Sequence, residues 1–369
     1  MTRALIITVA AIVSLCVLLS NSVSAHPAWG IVVDRNDQIY FSDIETIWKI
    51  DAQGKLSVFR AGVSGRHTHE LAIDEAGNLY GEDVAYESST QRWKVALWKM
   101  TPAGAFSYVM APTYYPPNGT SIWKDHDGNT YLAAQSNNAA HETLLLKRTP
   151  KGSVTTLIGS RKAVGAYRQV VLSSLGGMAF GTDGTVYFTD NSNIRKITPD
   201  GKATMLAHDL ALDNPSASTM PESTVTRLFG IAVDAQGTAF VADYGNRRIL
   251  KVTSGGAVST IARAEQPWSP TGVALKDGIL YILEFGFTPP GTYTPRVRKL
   301  PPDGKIVVLA TAGENANPSA GETTPGVSSE KTAEPTRSTP YVLLGTGVSI
   351  FALTVVIWRV RKRISSHQH

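Results

Sequence analysis

Apolar positions between residues 228 and 262 fall in four short runs, 230–233, 238–242, 248–252 and 257–261, parted by turns that carry Asp, Asn and Gly. Each run has the length of an ordinary strand and is rich in Ile, Val and Phe, so the stretch predicts a four-stranded antiparallel sheet. Both faces of that sheet carry apolar residues. A lone meander of this size buries too little surface to offset its ordering entropy, and it therefore predicts copies of itself packed alongside.

The copies are present. A strand-opening position is followed ten residues later by an aromatic at Gly30 and Tyr40, Glu70 and Tyr80, Ser121 and Tyr131, Gly177 and Tyr187, and Gly230 and Phe240. Gly272 and Tyr281 form a sixth pair, one residue closer together. A glycine closes the first turn at Gly77, Gly128, Gly184, Gly237 and Gly278, and Asp37 takes that place in the first copy. The aromatics recur at intervals of 40, 51, 56, 53 and 41 residues, which suits a propeller blade and exceeds leucine-rich or ankyrin units. The expected fold is all-β, a six-bladed β-propeller of four-stranded antiparallel blades. Asp243-Tyr-Gly-Asn-Arg-Arg-Ile and Asp190-Asn-Ser-Asn-Ile-Arg-Lys-Ile, each preceded by a GIAVD-like run, resemble NHL repeats. Residues 30–310 as a whole are similar to the NHL and SMP-30/gluconolactonase-like six-bladed propellers.

The two ends read differently. Residues 1–25 carry Arg3, an apolar core over 4–19 and the small-residue exit Val23-Ser24-Ala25, the pattern of a cleavable secretory signal. Residues 26–311 hold the repeats, and 312–340 turn to Pro, Ser, Thr, Gly, Ala and Glu, the composition of a disordered stalk. The uncharged run 341–358 would span about 27 Å as a helix, enough for a hydrocarbon core. Tyr341 and Trp358 flank it as interfacial aromatics, and the basic tail 359–369 carries the positive-inside signal. The expectation is a single-pass transmembrane helix, the propeller on the extracytoplasmic side in the periplasm or at the cell surface, and the C-terminus in the cytoplasm. Glu334-Pro335-Thr336 ahead of the helix also resembles a C-terminal sorting tail, which would make the segment removable.

Charge and cysteine content narrow the chemistry. The formal charge of +5 comes from the ends, since Arg3 accounts for one and Arg359, Arg361, Lys362 and Arg363 for four, leaving residues 26–340 neutral. The body has no electrostatic footprint for nucleic acid. Cys16, the only cysteine, lies in the signal segment, so the mature chain excludes disulfides, thiol nucleophiles and Cys-ligated metals.

In a propeller the first strand of each blade lines the axis, and its opening residues converge at one end of the channel. Those positions read Trp29-Gly30, His69-Glu70, Thr120-Ser121, Gly176-Gly177, Phe229-Gly230 and Thr271-Gly272. Most are small, as crowding requires, and only His69 and Glu70 bring groups able to ligate a metal or exchange a proton. His67 lies two residues before His69, so their side chains share a face of a strand. For Glu70, an ion pair with a channel-side Arg and metal ligation are both open. The resemblance to the lactonases implies a divalent metal, calcium or zinc, on the axis, and Pro117-Asn118-Gly119 looks like one of that family's ligand elements. His69, Glu70 and Asn118 are thus the candidate metal residues. Ala28-Trp29-Gly30 stands where that family has a Glu, and Gly176 and Phe229 stand at two further ligand positions. His69-Glu-Leu-Ala-Ile-Asp also looks like the zinc-presenting strand of secreted amidating lyases of this fold.

The leading expectation is therefore a binding or interaction module taking a protein, glycan or small-molecule ligand at a propeller mouth, with the divalent-metal lactonase or hydrolase as the alternative. Segments 84–92, 112–118, 136–143, 159–173, 208–226 and 285–295 read as loop excursions. Asp43, Asp83, Asp190 and Asp243 recur after the aromatic and read as turn caps, and Asp125-His126-Asp127-Gly128-Asn129 reads as an ordinary Asp-x-Gly turn rather than a calcium loop.

Overall fold

The computed structural model describes residues 27–115, 121–135, 143–159, 172, 175–214, 225–288 and 292–313. The signal segment, Asn118, and the stalk, apolar run and basic tail beyond residue 313 lie outside the described residues. Among the described residues no helix is long and apolar enough to cross a membrane.

The strands group into six sheets, each made of strands consecutive in the chain. Blade one holds β1 (Ile31–Val33), β2 (Ile39–Ser42), β3 (Ile47–Ile50) and β4 (Leu56–Arg60). Blade two holds β5 (Arg66–Ile73), β6 (Leu79–Glu87), β7 (Arg92–Met100) and β8 (Phe106–Tyr114). Blade three shows β9 (Thr130–Gln135), β10 (Thr143–Arg148) and β11 (Val154–Ile158), with its innermost strand marked by the lone bridge Lys124↔Thr130. Blade four holds β12 (Leu175–Phe180), β13 (Val186–Asp190), β14 (Asn193–Ile197) and β15 (Ala203–Ala207). Blade five holds β16 (Leu228–Val233), β17 (Ala239–Asp243), β18 (Arg248–Val252) and β19 (Val258–Arg263). Blade six holds β20 (Trp268–Lys276), β21 (Ile279–Thr288), β22 (Thr292–Leu300) and β23 (Val307–Thr311). The molecule is an all-β, six-bladed propeller of antiparallel blades.

The repeat spacing follows from the first turn of each blade. Gly77, Gly128, Gly184 and Gly237 all sit at φ between 74° and 80°, and Asp37 reaches 61° in the first blade, a region glycine enters without steric cost. An Asp just before the turn accepts backbone N–H groups across it in four of these five blades, as Asp34 does from Gln38 at 2.9 Å and Asp234 from Thr238 at 2.8 Å, while in blade four Gly181 holds that place and Asp183 accepts the Thr185 N–H at 2.9 Å. Asp125 does the same for Asn129 at 2.9 Å and also accepts the Tyr131 hydroxyl at 2.9 Å. His126 and Asp127 point into solvent, so the turn reading of this segment holds. In blade six Asp277 and Gly278 both take positive φ, the tighter two-residue hairpin turn, which accounts for the missing residue.

Neighbouring blades pack face to face. Ile31, Phe41 and Trp48 meet Tyr281, Leu283 and Val297 where blade six closes on blade one. Tyr40 and Ile47 meet Leu71, Leu79 and Trp98 between blades one and two. Comparable clusters join blades three to four, four to five and five to six. Each large side chain buried in these seams is worth about 1.5–3 kcal/mol. Between blades two and three the pattern changes: among the described residues the apolar cluster there, Leu132, Ala134 and Leu146, comes from blade three alone.

Two of the expected excursions are sheet rather than loop. The β6–β7 ladder continues to the pair Glu87↔Arg92 and the β21–β22 ladder to Thr288↔Thr292. Residues 84–87 with 92–95, and 285–288 with 292–295, therefore extend their hairpins, because the extra residues pair in register with one another and complete the ladder hydrogen bonds. Blades two and six stand taller than the rest at the end of the ring where first strands begin and second strands finish, here called the mouth face.

Candidate functional site at the channel mouth

The innermost strands share a defect. In blade two Thr68 pairs with Asp83 and Leu71 with Gly81, leaving His69 and Glu70 together opposite Glu82. Blade four leaves Gly176 and Gly177 opposite Thr189 in the same way, and blade five leaves Phe229 and Gly230 opposite Ala242. Each is a β-bulge, which sharpens the twist and re-aims a side chain. The second residue of the pair lies where adjacent blades approach most closely. A Cβ on Gly177 would fall 2.9 Å from the Gly230 Cα, one on Gly230 2.8 Å from the Gly272 Cα, and one on Gly272 2.3 Å from the Trp29 carbonyl oxygen. Gly30 approaches the Glu70 Cα to the same degree, at 2.9 Å. Four glycines thus line the axis, blade three has the small Ser121 at the same place, and blade two departs with a carboxylic acid.

Groups from four blades surround Glu70. A little of its surface faces the channel, yet protein encloses it, and burial is the largest influence on its carboxyl, pushing it up to about 8. The indole N–H groups of Trp123 and Trp29 pull the other way, the Glu82 charge adds to the rise, and the Met178 backbone N–H lowers it again. Neither indole nitrogen closes a hydrogen bond of ordinary length and angle with a described acceptor, so both act on Glu70 as nearby dipoles. Glu82 is itself pushed up to about 7, by burial and then by the Asp83 charge. No cation pairs with Glu70 among the described residues, so the expected channel-side Arg is not found there.

Beside these acids lies a cavity of about 270 Å³, lined by His67, His69, Val84, Trp93 and Tyr115. Strand register explains the company. Trp98 and Leu79 face blade one, so residues of opposite parity, including Glu82, Val84 and Trp93, face away from it toward blade three. His67 pairs with Val84 across β5 and β6, and the Tyr115 N–H donates to the Trp93 carbonyl at 3.1 Å. Burial and then the Glu82 charge push the Tyr115 phenol up to about 12; with 46 % of that residue open to water, the charge is the part that speaks for proximity.

Across the mouth runs a row of rings. His67 and His69 meet edge to face at 5.8 Å. His69 stacks on Trp29 at 5.5 Å, and Trp29 stacks on Phe229 at 5.5 Å. Phe229 then meets Tyr244 edge-on at 5.4 Å with the Arg227 guanidinium 5.1 Å over its face. Blades two, one and five are linked across the channel by this row, so Phe229 does more than fill space. The His69 carbonyl also accepts the N–H groups of Trp29 and Gly30, both at 2.8 Å, which fixes the bulge against blade one.

Of the three candidate metal residues, His69 and Glu70 come together at the mouth as adjacent residues of one bulge, and Asn118 lies outside the described residues. Among the described residues no three His, Cys, Asp or Glu side chains form a metal-holding group. The described donor set does not by itself make up a metal site, and no chemistry is derived through one.

Sequence reasoning missed Glu82, Trp29 and Trp123. The signal for Trp29 was available, since a Trp stands where three of the other five blades open on Gly or Thr. The recurring acids are also more varied than turn caps. Asp43 caps its turn through the Thr46 N–H at 2.7 Å, but Asp83 holds Arg60 of blade one in a bidentate pair at 2.7 and 2.5 Å. Asp190 pairs with Arg195 at 2.6 Å and Asp243 with Arg248 at 2.7 Å. These acids are structural ion pairs because a buried carboxylate needs a cation more than an exposed turn needs a cap.

No family model matches the chain, and no curated protein matches it. Solved structures of similar build include virginiamycin B lyase from Staphylococcus aureus, 16 % identical over 76 % of this chain and 83 % of the other, with a TM-score of 0.45. A gluconolactonase from Xanthomonas campestris is 14 % identical over 70 % and 83 % with a TM-score of 0.47. Regucalcin, a calcium-binding protein from Agrobacterium tumefaciens, is 17 % identical over 70 % and 81 % with a TM-score of 0.42. At this distance the likeness is one of architecture, and function is argued from the chain's own residues. By its own strand topology this chain is a six-bladed β-propeller, similar in build to the lyase, gluconolactonase and regucalcin propellers.

Proposed function

We propose that the chain is an extracytoplasmic binding module, tethered to a membrane by its C-terminal segment, that takes a small-molecule ligand at the channel mouth beside blade two. The observation that carries this reading is the cavity of about 270 Å³ whose wall combines two imidazoles, a Trp and a Tyr next to two acids that burial holds near neutrality. Small ligands are held by concave, mainly apolar walls with a few well-placed polar groups, and this wall has that make-up. The ring row across the axis keeps such a ligand at the mouth. The secretory pattern of residues 1–25 and the apolar run 341–358 support export and anchoring.

A panel of small molecules and glycans, titrated calorimetrically against the full-length chain, tests the reading. A hit should weaken about tenfold on Trp93→Ala, the loss of roughly 1.4 kcal/mol of contact. A hit whose affinity ignores both Trp93→Ala and His67→Ala would remove the site from consideration. The second reading, a divalent-metal hydrolase using His69, Glu70 and Asn118, is favoured by the adjacency of His69 and Glu70 at the mouth. It requires that the purified protein carry stoichiometric metal and lose thermal stability on chelation; metal-free protein unaffected by chelator rules it out.

A further inference from the structure

The tall hairpins of blades two and six have no part in the cavity beyond Val84 and Trp93. At nine residues each, β6 and β7 exceed the five of β17 and β18 in blade five, and four extra residues lift a hairpin by about 13 Å. Near the blade-two tip Trp93 is 50 % exposed and Tyr86 42 %, their rings 5.1 Å apart. Arg92 lies 3.9 Å over the Tyr114 ring beside them, and Lys94 pairs with Glu87. On the blade-six hairpin Phe287 is 45 % exposed. Exposed Trp and Tyr with Arg and Lys close behind them are the residues that settle at a lipid–water boundary.

The course of the chain selects the partner. In blade six Thr311, the last residue of β23, pairs with Arg296 near the start of β22, and the Ala312 N–H donates to the Pro295 carbonyl at 2.9 Å. Residue 313 therefore leaves the ring on the mouth face, beside the blade-six hairpin. From there residues 314–340 lead along the sequence to the apolar run 341–358. We propose that the mouth face is a membrane-docking surface, with the Tyr86 and Trp93 rings of the blade-two hairpin seated at the headgroup level of the bilayer. The proposal rests on the anchoring part of the function proposed above. It also places the cavity opening next to the lipid, where an amphiphile in the membrane meets it first.

The test uses the full chain with Cys16→Ser, reconstituted in phosphatidylcholine vesicles containing phosphatidylglycerol. A fluorophore is attached to one introduced cysteine, either through Ser89→Cys at the blade-two tip or through Ala103→Cys in the turn at the opposite end of the same blade. Quenching by headgroup-labelled lipid should be about threefold stronger at position 89 than at 103, since docked interfacial groups sit within about 10 Å of the headgroup boundary. Adding Tyr86→Ser and Trp93→Ser should bring position 89 down to the level of 103. Equal quenching at both positions in a chain that survives an alkaline wash of the vesicles overturns the docking surface and leaves the anchor standing. A chain that washes off overturns the anchor; docking then survives only if position 89 was preferentially quenched before the wash.

Discussion

Blade five and blade two are built on the same meander, with the same bulge at the same place in the inner strand and the same acid at the fifth position of the second strand. In blade five the bulge carries Phe229 and Gly230, and Asp243 takes its cation, Arg248, from the next strand of its own sheet. In blade two the bulge carries His69 and Glu70, and Asp83 takes Arg60 from blade one. The regular blade looks inward for its ion pair and gives the axis a glycine. The irregular blade reaches to one neighbour for its ion pair and, on its other face, meets blade three around two acids and a cavity instead of a joint apolar cluster. The shared frame thus isolates the departure of blade two at its bulge, where His69 and Glu70 stand in the places of Phe229 and Gly230.

The largest effect should come from the ion pairs. Asp83→Asn strands the Arg60 guanidinium in a buried setting and should cost about 3–5 kcal/mol, read as a fall in melting temperature of roughly 10 °C. Asp243→Asn should cost clearly less, about 2 kcal/mol, because Arg248 keeps Asp213 at 3.0 Å as a second partner. Equal losses would break the comparison.

Next come the bulge residues. Gly230→Ala forces a Cβ to within 2.8 Å of the Gly272 Cα, and backbone on both sides leaves little room to yield, so a loss of about 1–3 kcal/mol is expected in thermal melts. Glu70→Ala adds no atom to its blade and removes an acid that the fold holds protonated, so at neutral pH it should cost less than Gly230→Ala.

Titration sharpens the contrast further. The Glu70 carboxyl is raised from its ordinary 4.5 to about 8, so between those values the folded chain keeps a proton that the unfolded chain has released. Stability should therefore fall as pH rises through that window, by at most about 1.4 kcal/mol per pH unit for this group, with Glu82 adding to the fall up to about 7. Glu70→Gln should flatten the slope measured by denaturant unfolding, whereas no substitution at Phe229 should alter it. Phe229→Leu removes the stack on Trp29 and should cost about 0.5–1.5 kcal/mol, the same at every pH.

The ring was legible because each blade repeats a local rule. Gly77, Gly128, Gly184 and Gly237 mark turns that need positive φ, and the aromatic three residues on packs into the seam, so spacing alone places the first two strands. Blade six was legible even in its exception, through Asp277-Gly278. The site was legible only in part. His69 and Glu70 stood out because residue size at the bulge is set by crowding, and they violate it. Glu82 carried no such mark: its closeness to Glu70 arises from the bulge register, and that register cannot be read without knowing the partner strand. Trp29 and Trp123 reach Glu70 from different blades across long stretches of chain. The hairpin extensions of blades two and six read as loops because Glu87-Ser-Ser-Thr-Gln-Arg92 and Thr288-Pro-Pro-Gly-Thr292 break the alternation of apolar and polar residues.

No described blade borrows a strand from the far end of the chain, and blade six meets blade one through side-chain packing, the close approach of Gly272 to Trp29, and Lys276, which pairs with Asp37 and donates to the Arg35 carbonyl. The seam that closes the circle is thus of the same kind as those inside it. Residues 27 and 313 both lie at the mouth face, so a short linker between them and new ends cut between blades four and five would give a circularly permuted protein with the same six sheets. Closure is encoded in the surfaces of the blades, and the order in which they leave the ribosome is interchangeable.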